Sequence, residues 1–87
     1  MAEVEIYTSS LCGFCYRAKH LLNNKGVAFT EYDVTFDRKK RQEMTKRAGG
    51  STSVPQIFID GKCIGGSDDM IELDLDDELD PMLGISG

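Results

Sequence analysis

The sequence predicts an α/β domain built on a four-stranded mixed sheet with helices on both faces. Three observations carry this. Short apolar alternations and helix-spaced stretches follow one another in the order β-α-β-α-β-β-α. The first half therefore reads as a βαβ unit, whose crossover makes its two strands parallel. In the second half, Asp60-Gly61 stands between two strand-like runs as a two-residue hairpin turn, which makes the last two strands antiparallel. The 87 residues suffice for one domain, expected to span 1–87.

Each element has its own local reason. Val4 and Ile6 alternate with polar neighbours, giving a first strand near residues 3–7. Thr8-Ser9-Ser10 breaks that pattern. Ala18, Leu21 and Leu22 then mark a helix over about 13–24, stopped by Asn23-Asn24-Lys25-Gly26, with Gly26 suited to a left-handed C′ position. Val27, Phe29, Tyr32 and Val34 flank a second strand near 28–33. Thr35 or Asp37 caps a second helix over about 37–48, closed by Gly49-Gly50. Val54–Ile59 reads as a third strand and Lys62-Cys63-Ile64 as a short fourth. Ser67 or Asp68 caps a third helix carrying Met70, Ile71, Leu73 and Leu75, and Pro81 limits the remaining residues to a short turn or tail.

Cys12-Gly13-Phe14-Cys15 falls where the first strand hands over to the first helix. A helix start offers free N–H groups and the positive end of a dipole, both of which favour a thiolate, the reactive form of cysteine. Cys12 is therefore expected to be held ionised at neutral pH. Cys12 occupies the exposed first turn and Cys15 lies one turn deeper on the same face. The outer thiol can reach a substrate and the inner thiol can reach the outer one. Cys12, Cys15, Cys63 and His20 also contain the ligand types of a Cys₃His zinc site. His20, however, lies roughly 140° round the helix from Cys15, so no metal site is expected.

Two further segments have open readings. Val54-Pro55 is either a trans proline that starts a strand or a cis peptide that turns the Val54 N–H and C=O towards an extended ligand. Gly65-Gly66-Ser67-Asp68-Asp69 is either an ordinary capped helix start or a site for a ligand carrying both a carboxylate and an ammonium.

Composition excludes other classes. Apolar residues make up 40% and charged residues 29%, as in a soluble globular domain. No run of about 20 apolar residues is present to span a membrane. The acidic start lacks the basic and apolar regions of a secretory signal. With three cysteines the chain is no disulfide scaffold. These features lead to an expectation of a cytoplasmic protein with no membrane partner. The net charge of −5 argues against nucleic acid. It is unevenly spread: residues 60–87 hold one cation against nine carboxylates. The Arg38-Lys39-Lys40-Arg41 run reads as a solvated helix face, and Asp74–Glu78 as an acidic surface able to select protein partners.

With these residues in view, the chain resembles the glutaredoxins, glutathione-dependent thiol–disulfide oxidoreductases of the thioredoxin-fold superfamily. Val4–Thr8 resembles their first strand and Cys12-Gly13-Phe14-Cys15 their dithiol site. Ser53-Val54-Pro55 resembles their Thr-Val-Pro segment, and Gly65-Gly66-Ser67-Asp68-Asp69 their Gly-Gly glutathione motif. The resemblance implies a glutaredoxin (thioredoxin-like) fold, with Cys12 as nucleophile and Cys15 as resolving thiol. It implies a cis Pro55 and glutathione as co-substrate. Phe14, Ser53, Val54, Pro55, Gly66, Ser67, Asp68 and Asp69 are the implied contacts for glutathione, with Gln42 (or Arg41) for its glycyl carboxylate. Glutathionylated or disulfide-containing proteins are the implied partners of a monomer.

Three positions depart from the family pattern. Ser9 stands where a Lys is frequent, and Gly13 where Pro is common. Cys63 lies beside the Gly-Gly motif and reads as a small buried hydrophobe or a regulatory thiol. Gly13 also admits an alternative: a carrier sharing a [2Fe–2S] cluster between two subunits through Cys12 and glutathione. A redoxin served by thioredoxin reductase is a third reading, against which Ser67-Asp68-Asp69 speaks.

Overall fold

The computed structural model describes residues 2–85. In chain order the elements are β1 (Val4–Thr8), α1 (Gly13–Asn24), β2 (Thr30–Asp33), α2 (Arg38–Arg47), β3 (Gln56–Ile59), β4 (Lys62–Gly65), α3 (Ser67–Leu75) and α4 (Leu79–Leu83). The strands form one mixed sheet in the order β2-β1-β3-β4. β1 and β2 are parallel, and the other two pairs are antiparallel, with Tyr7 opposite Gln56 and Ile57 opposite Gly65. The ends of β1, β2 and β4 and the start of β3 consequently meet at one edge of the sheet.

Strand alternation divides the core in two. Val4, Ile6, Ile57 and Ile59 point to one face, where Ala18 and Leu22 of α1, Met70 of α3, and Leu79 and Leu83 of α4 cover them. Tyr7 and Phe58 point to the other, packed with Val34 and with Met44 of α2. Helices thus lie on both faces, as the sequence predicts. The Asp60-Gly61 turn has φ of 52° and 81°, the two positive values that a two-residue hairpin of this kind needs.

The structure corrects several expected boundaries. β2 begins at Thr30 rather than 28, because its pairing with β1 starts opposite Glu5; Phe29 packs against the core instead. β3 begins at Gln56, after Val54-Pro55. Asp37, not Thr35, caps α2 by accepting from the Lys40 amide. Gly66 is the N-cap of α3, so Ser67 is its first helical residue. Beyond Pro81 the chain makes the short last turn, one of the two forms expected from the sequence: Pro81 is the third residue of α4, which ends at Leu83. The amides of a first helical turn have no intrahelical partner, so proline's missing N–H costs nothing there.

Helix α2 buries only Met44, and a polar network supplies the rest of its attachment. Arg47 donates to both oxygens of Glu5 at 2.9 and 3.2 Å and to the Tyr7 hydroxyl at 2.8 Å, and lies 4.1 Å from the Phe58 ring centre. The Tyr7 hydroxyl donates to Glu43, and the Tyr32 hydroxyl to Glu5 at 2.9 Å. The Arg47 bonds hold the Glu5 carboxyl below its ordinary 4.5, and the Tyr7 hydroxyl does the same for Glu43. Burial, aided by Glu43, pushes Tyr7 up from 10.0 to about 12.

A carboxylate with a lowered folded value stabilises the fold above its unfolded value and loses that contribution as pH falls. A tyrosine with a raised folded value stabilises below 10.0 and loses its contribution as pH rises towards about 12. We expect the urea midpoint to be flat between about pH 5 and 9 and to fall on both sides. Glu5→Gln should lower the plateau and flatten the acid limb; Tyr7→Phe should shrink the alkaline loss.

Candidate dithiol active site

The shared sheet edge assembles the site. After β1, the Ser10 amide donates to Thr35 Oγ1 at 2.8 Å, tying the turn that precedes the thiols to the segment after β2. Cys12 is the N-cap of α1, with extended φ −126° and ψ 107°. Its Sγ accepts from the Cys15 amide at 3.2 Å. Ser, Thr, Asn or Asp usually fills this position; here a sulfur does so, which keeps a backbone donor against it. The same Sγ lies 3.7 Å from the Val54 carbonyl oxygen.

Cys12 is half-buried, whereas Cys15 is 1% exposed. Both are free thiols. The outer and inner positions expected from their spacing are therefore present. Burial first, then hydrogen bonding to Cys12, pushes the Cys15 thiol up from 9.0 to about 12. It stays protonated at neutral pH.

Beside Cys12 lies a cavity of about 430 Å³. Phe14 forms one wall, Ser53-Val54-Pro55 a second, and Gly65 to Asp69 a third. The Val54–Pro55 peptide is cis. Among the described residues no hydrogen bond uses the Val54 N–H. The Ser67 hydroxyl is buried and has no partner among the described residues. Asp69 accepts from the Gly66 amide at 2.9 Å, locking the entrance to α3, the reciprocal half of a capping box. Gly65 has φ +101°, and a Cβ there would overlap the Asp69 carboxylate. Among the described residues the only charged side chains lining this cavity are Asp68 and Asp69.

Eight of the residues singled out in the sequence thus line one cavity: Phe14, Ser53, Val54, Pro55, Gly66, Ser67, Asp68 and Asp69. Gln42 does not. With Arg41 and Thr52 it lines a separate cavity of about 510 Å³. Arg41 donates to the Thr52 carbonyl at 3.1 Å, fastening α2 to the loop that leads to Ser53. Cys63 is half-buried rather than a core residue; it lines the first cavity, and its thiol donates to Gln56 Oε1 at 3.6 Å. Gln56 was not apparent from the sequence. Its amide nitrogen donates to Ser51 Oγ at 3.0 Å and to Ser53 O and Oγ at 3.0 and 3.2 Å, holding the loop before Val54. The available signal was a polar residue opening the otherwise apolar run Ile57-Phe58-Ile59.

His20 is exposed and stacks on Tyr16, 6.3 Å between ring centres. Among the described residues no group of three or more His, Cys, Asp or Glu side chains is placed to hold a metal ion, so the Cys₃His combination is not assembled. Among those residues no helix is long and apolar enough to cross a membrane.

The glutaredoxin family profile matches residues 4–64. Glutaredoxin 3 of Escherichia coli K12 is 54% identical over 83 residues, covering 95% of this chain and 99% of that protein. This chain belongs to the glutaredoxin family. Glutaredoxin 1 of Rickettsia typhi is 42% identical over 79 residues, 90% of this chain and 76% of that protein. Among solved structures, glutaredoxin from Brucella melitensis superposes with a TM-score of 0.83 at 42% identity, covering 95% of this chain and 89% of that one. The buckwheat glutaredoxin–glutathione complex gives 0.86 at 27% identity, with coverage of 98% and 83%. The mixed sheet with its flanking helices is the thioredoxin fold of glutaredoxins, and membership carries thiol–disulfide oxidoreductase activity.

The difference between the two thiols is measurable. At pH 7 we expect iodoacetamide to modify Cys12 and to leave Cys15 untouched until the protein unfolds. Peptide mapping by mass spectrometry after a timed quench reads this directly.

Proposed function

We propose that this glutaredoxin uses glutathione to reduce protein–glutathione mixed disulfides and protein disulfides through Cys12 and Cys15. The observation that carries the reading is the Cys12 sulfur, 3.7 Å from the carbonyl of Val54 in the wall of a cavity whose polar groups suit glutathione. The Val54 N–H and C=O match the backbone of its cysteinyl residue. The α3 amides and the orphan Ser67 hydroxyl suit the γ-glutamyl carboxylate, and Asp68 the ammonium beside it. Gln42 and Arg41, in the neighbouring cavity, are assigned to the glycyl carboxylate.

In the first step the Cys12 thiolate attacks the glutathione sulfur. A Cys12–glutathione disulfide forms, the substrate S–S bond breaks, and the substrate thiolate leaves and takes a proton from water. A second glutathione thiolate then attacks the glutathione sulfur held on Cys12. Glutathione disulfide leaves and the Cys12 thiolate returns.

With a protein disulfide, Cys12 attacks one sulfur and the other leaves as a thiolate; Cys15 then closes on Cys12 and expels the sulfur first attacked. Two glutathiones then reduce the Cys12–Cys15 bond, two electrons in all. The charge and hydrogen bonding of Cys12 both contribute to the high value of Cys15. Once Cys12 is tied up as a neutral mixed disulfide, those contributions fall away and Cys15 ionises more readily. The resolving thiol is thus held back until the first step is complete. This placement favours dithiol turnover over cluster carriage, in which Cys15 has no part. The reaction needs a compartment supplied with reduced glutathione, and we propose the cytoplasm.

Cys12→Ser should abolish turnover of both substrate classes. Cys15→Ser should keep reduction of a glutathionylated peptide and lose reduction of a protein disulfide. Parallel assays with the two substrates check this; equal loss in both variants would contradict the roles assigned. Gly65→Ala, which displaces the Asp69 carboxylate and strains a left-handed backbone, should raise the glutathione KM about tenfold, a loss of the order expected for such a site. Steady-state kinetics at varied glutathione concentration read this.

A further inference from the structure

At the sheet edge, Cys12 stands between two different surfaces. The order β2-β1-β3-β4 puts the cavity on its β3–β4 side and the end of β2 on the other. If glutathione fills the first, the polypeptide carrying the leaving sulfur has only the outward and β2 side to lie on. That side carries large apolar groups in water. Leu11 is 99% exposed and Phe36 98%. Each directly follows one of the bonded residues Ser10 and Thr35, so the two share a rim. Tyr16, 71% exposed, lies on the same flank of α1 as Lys19, which pairs with Glu31 of β2 at 2.9 Å. Phe14, roughly 200° from Tyr16 round the helix, belongs to the opposite flank and to the cavity.

Three carboxylates, Glu31, Asp33 and Asp37, lie between β2 and the start of α2 on this side. The three carboxylates are already engaged: Glu31 with Lys19 and Thr8, Asp33 with Thr35, and Asp37 with the Lys40 amide. Arg38 and Lys39 follow Phe36 and Asp37, are exposed, and have no carboxylate within 4 Å among the described residues. They also stand at the positive end of α2, where acidic groups would suit the helix better. Helix stability does not explain them. On the cavity side the charged lining residues among those described are Asp68 and Asp69, so the two sides of Cys12 differ in the sign of their free charge.

We propose that the Leu11–Tyr16–Phe36 rim, with Lys39 behind it, is the docking surface for the protein half of the substrate. Its occupant is a polypeptide segment bearing a glutathionylated cysteine flanked by apolar and acidic residues. The apolar neighbours cover the rim and the acidic ones meet the cation, which raises the encounter rate more than the tightness of the complex. The inference rests on the glutathione-dependent reading of the site and adds the class of protein that it serves.

The test uses the whole protein and three substrates. Two are glutathionylated peptides that share a Leu-Cys-Phe centre, one with Asp and Glu flanks and one with Lys flanks. The third is the glutathione mixed disulfide of 2-mercaptoethanol, which has no peptide to dock. At low salt kcat/KM should favour the acidic peptide about tenfold over the basic one, and about 0.5 M salt should erase most of that margin. Phe36→Ser and Lys39→Glu, both exposed positions, should each cut the acidic peptide about three- to tenfold. Neither should alter the small disulfide. Equal rates for the two peptides, or variants that slow the small disulfide as much as the peptide, would overturn the docking surface. A wild-type protein inert towards the small disulfide would instead overturn the glutathione reading beneath it.

Discussion

The bond from the Cys15 amide to the Cys12 sulfur is the contact on which the site depends. One atom both caps α1 and is the nucleophile of the proposed reaction. A capping acceptor stabilises the first turn because it meets an amide that has no helical partner. The folding of α1 therefore fixes the position of the Cys12 sulfur. The geometry also fixes Cys15. A residue three positions into the helix turns towards the core with Ala18 and Leu22, and burial then keeps its thiol protonated. The contrast between the two sulfurs follows from one helical turn placed against one core.

A cap alone would give a reactive thiol without selectivity. The strand topology supplies the remainder. Val54 is 42 residues from Cys12 in sequence, yet its carbonyl oxygen lies 3.7 Å from the sulfur. It is there because β3 runs antiparallel to β1 and starts where β1 ends. The hairpin through Asp60-Gly61 returns β4 to the same edge, delivering Gly66 and the start of α3. Gln56 links these pieces: it opens β3, restrains Ser51 and Ser53, and meets Cys63 of β4. The cavity wall is thereby braced from beneath by a buried amide.

What the sequence made legible was local. Cys12 and Cys15, the Asp60-Gly61 turn and the Gly65-Gly66 pair announce themselves within a few residues, and the apolar periods located nearly every element. Features that depend on distance between elements did not show. Gln42 matched by position along the chain, but its cavity is separate because α2 docks through Met44 and Arg47 and stands at its own offset from β3. The Arg47–Glu5 pair spans 42 residues, and no local pattern marks either partner. Ser67 looked like a cap by residue type. The extended backbone of Gly66 and the carboxylate of Asp69 take that role and leave the Ser67 hydroxyl turned inward without a bond among the described residues. The same shift of one residue converts a structural group into an available one.

The acidic start of α3 carries a further consequence. Asp68 and Asp69 suit a helix N-terminus, yet they line a cavity whose open amides attract anions. A simple anion entering there meets two carboxylates, with no lysine, arginine or histidine among the described residues of the wall to offset them. Asp69 is partly occupied, since it holds the Gly66 amide, whereas Asp68 is exposed to the ligand side. A group that presents a carboxylate to the amides and an ammonium to Asp68 satisfies both at once, and one that lacks the ammonium leaves repulsion uncompensated. On the glutathione reading proposed above, selectivity for an amino-acid terminus follows from the placement of one unspent carboxylate, Asp68, beside the helix start.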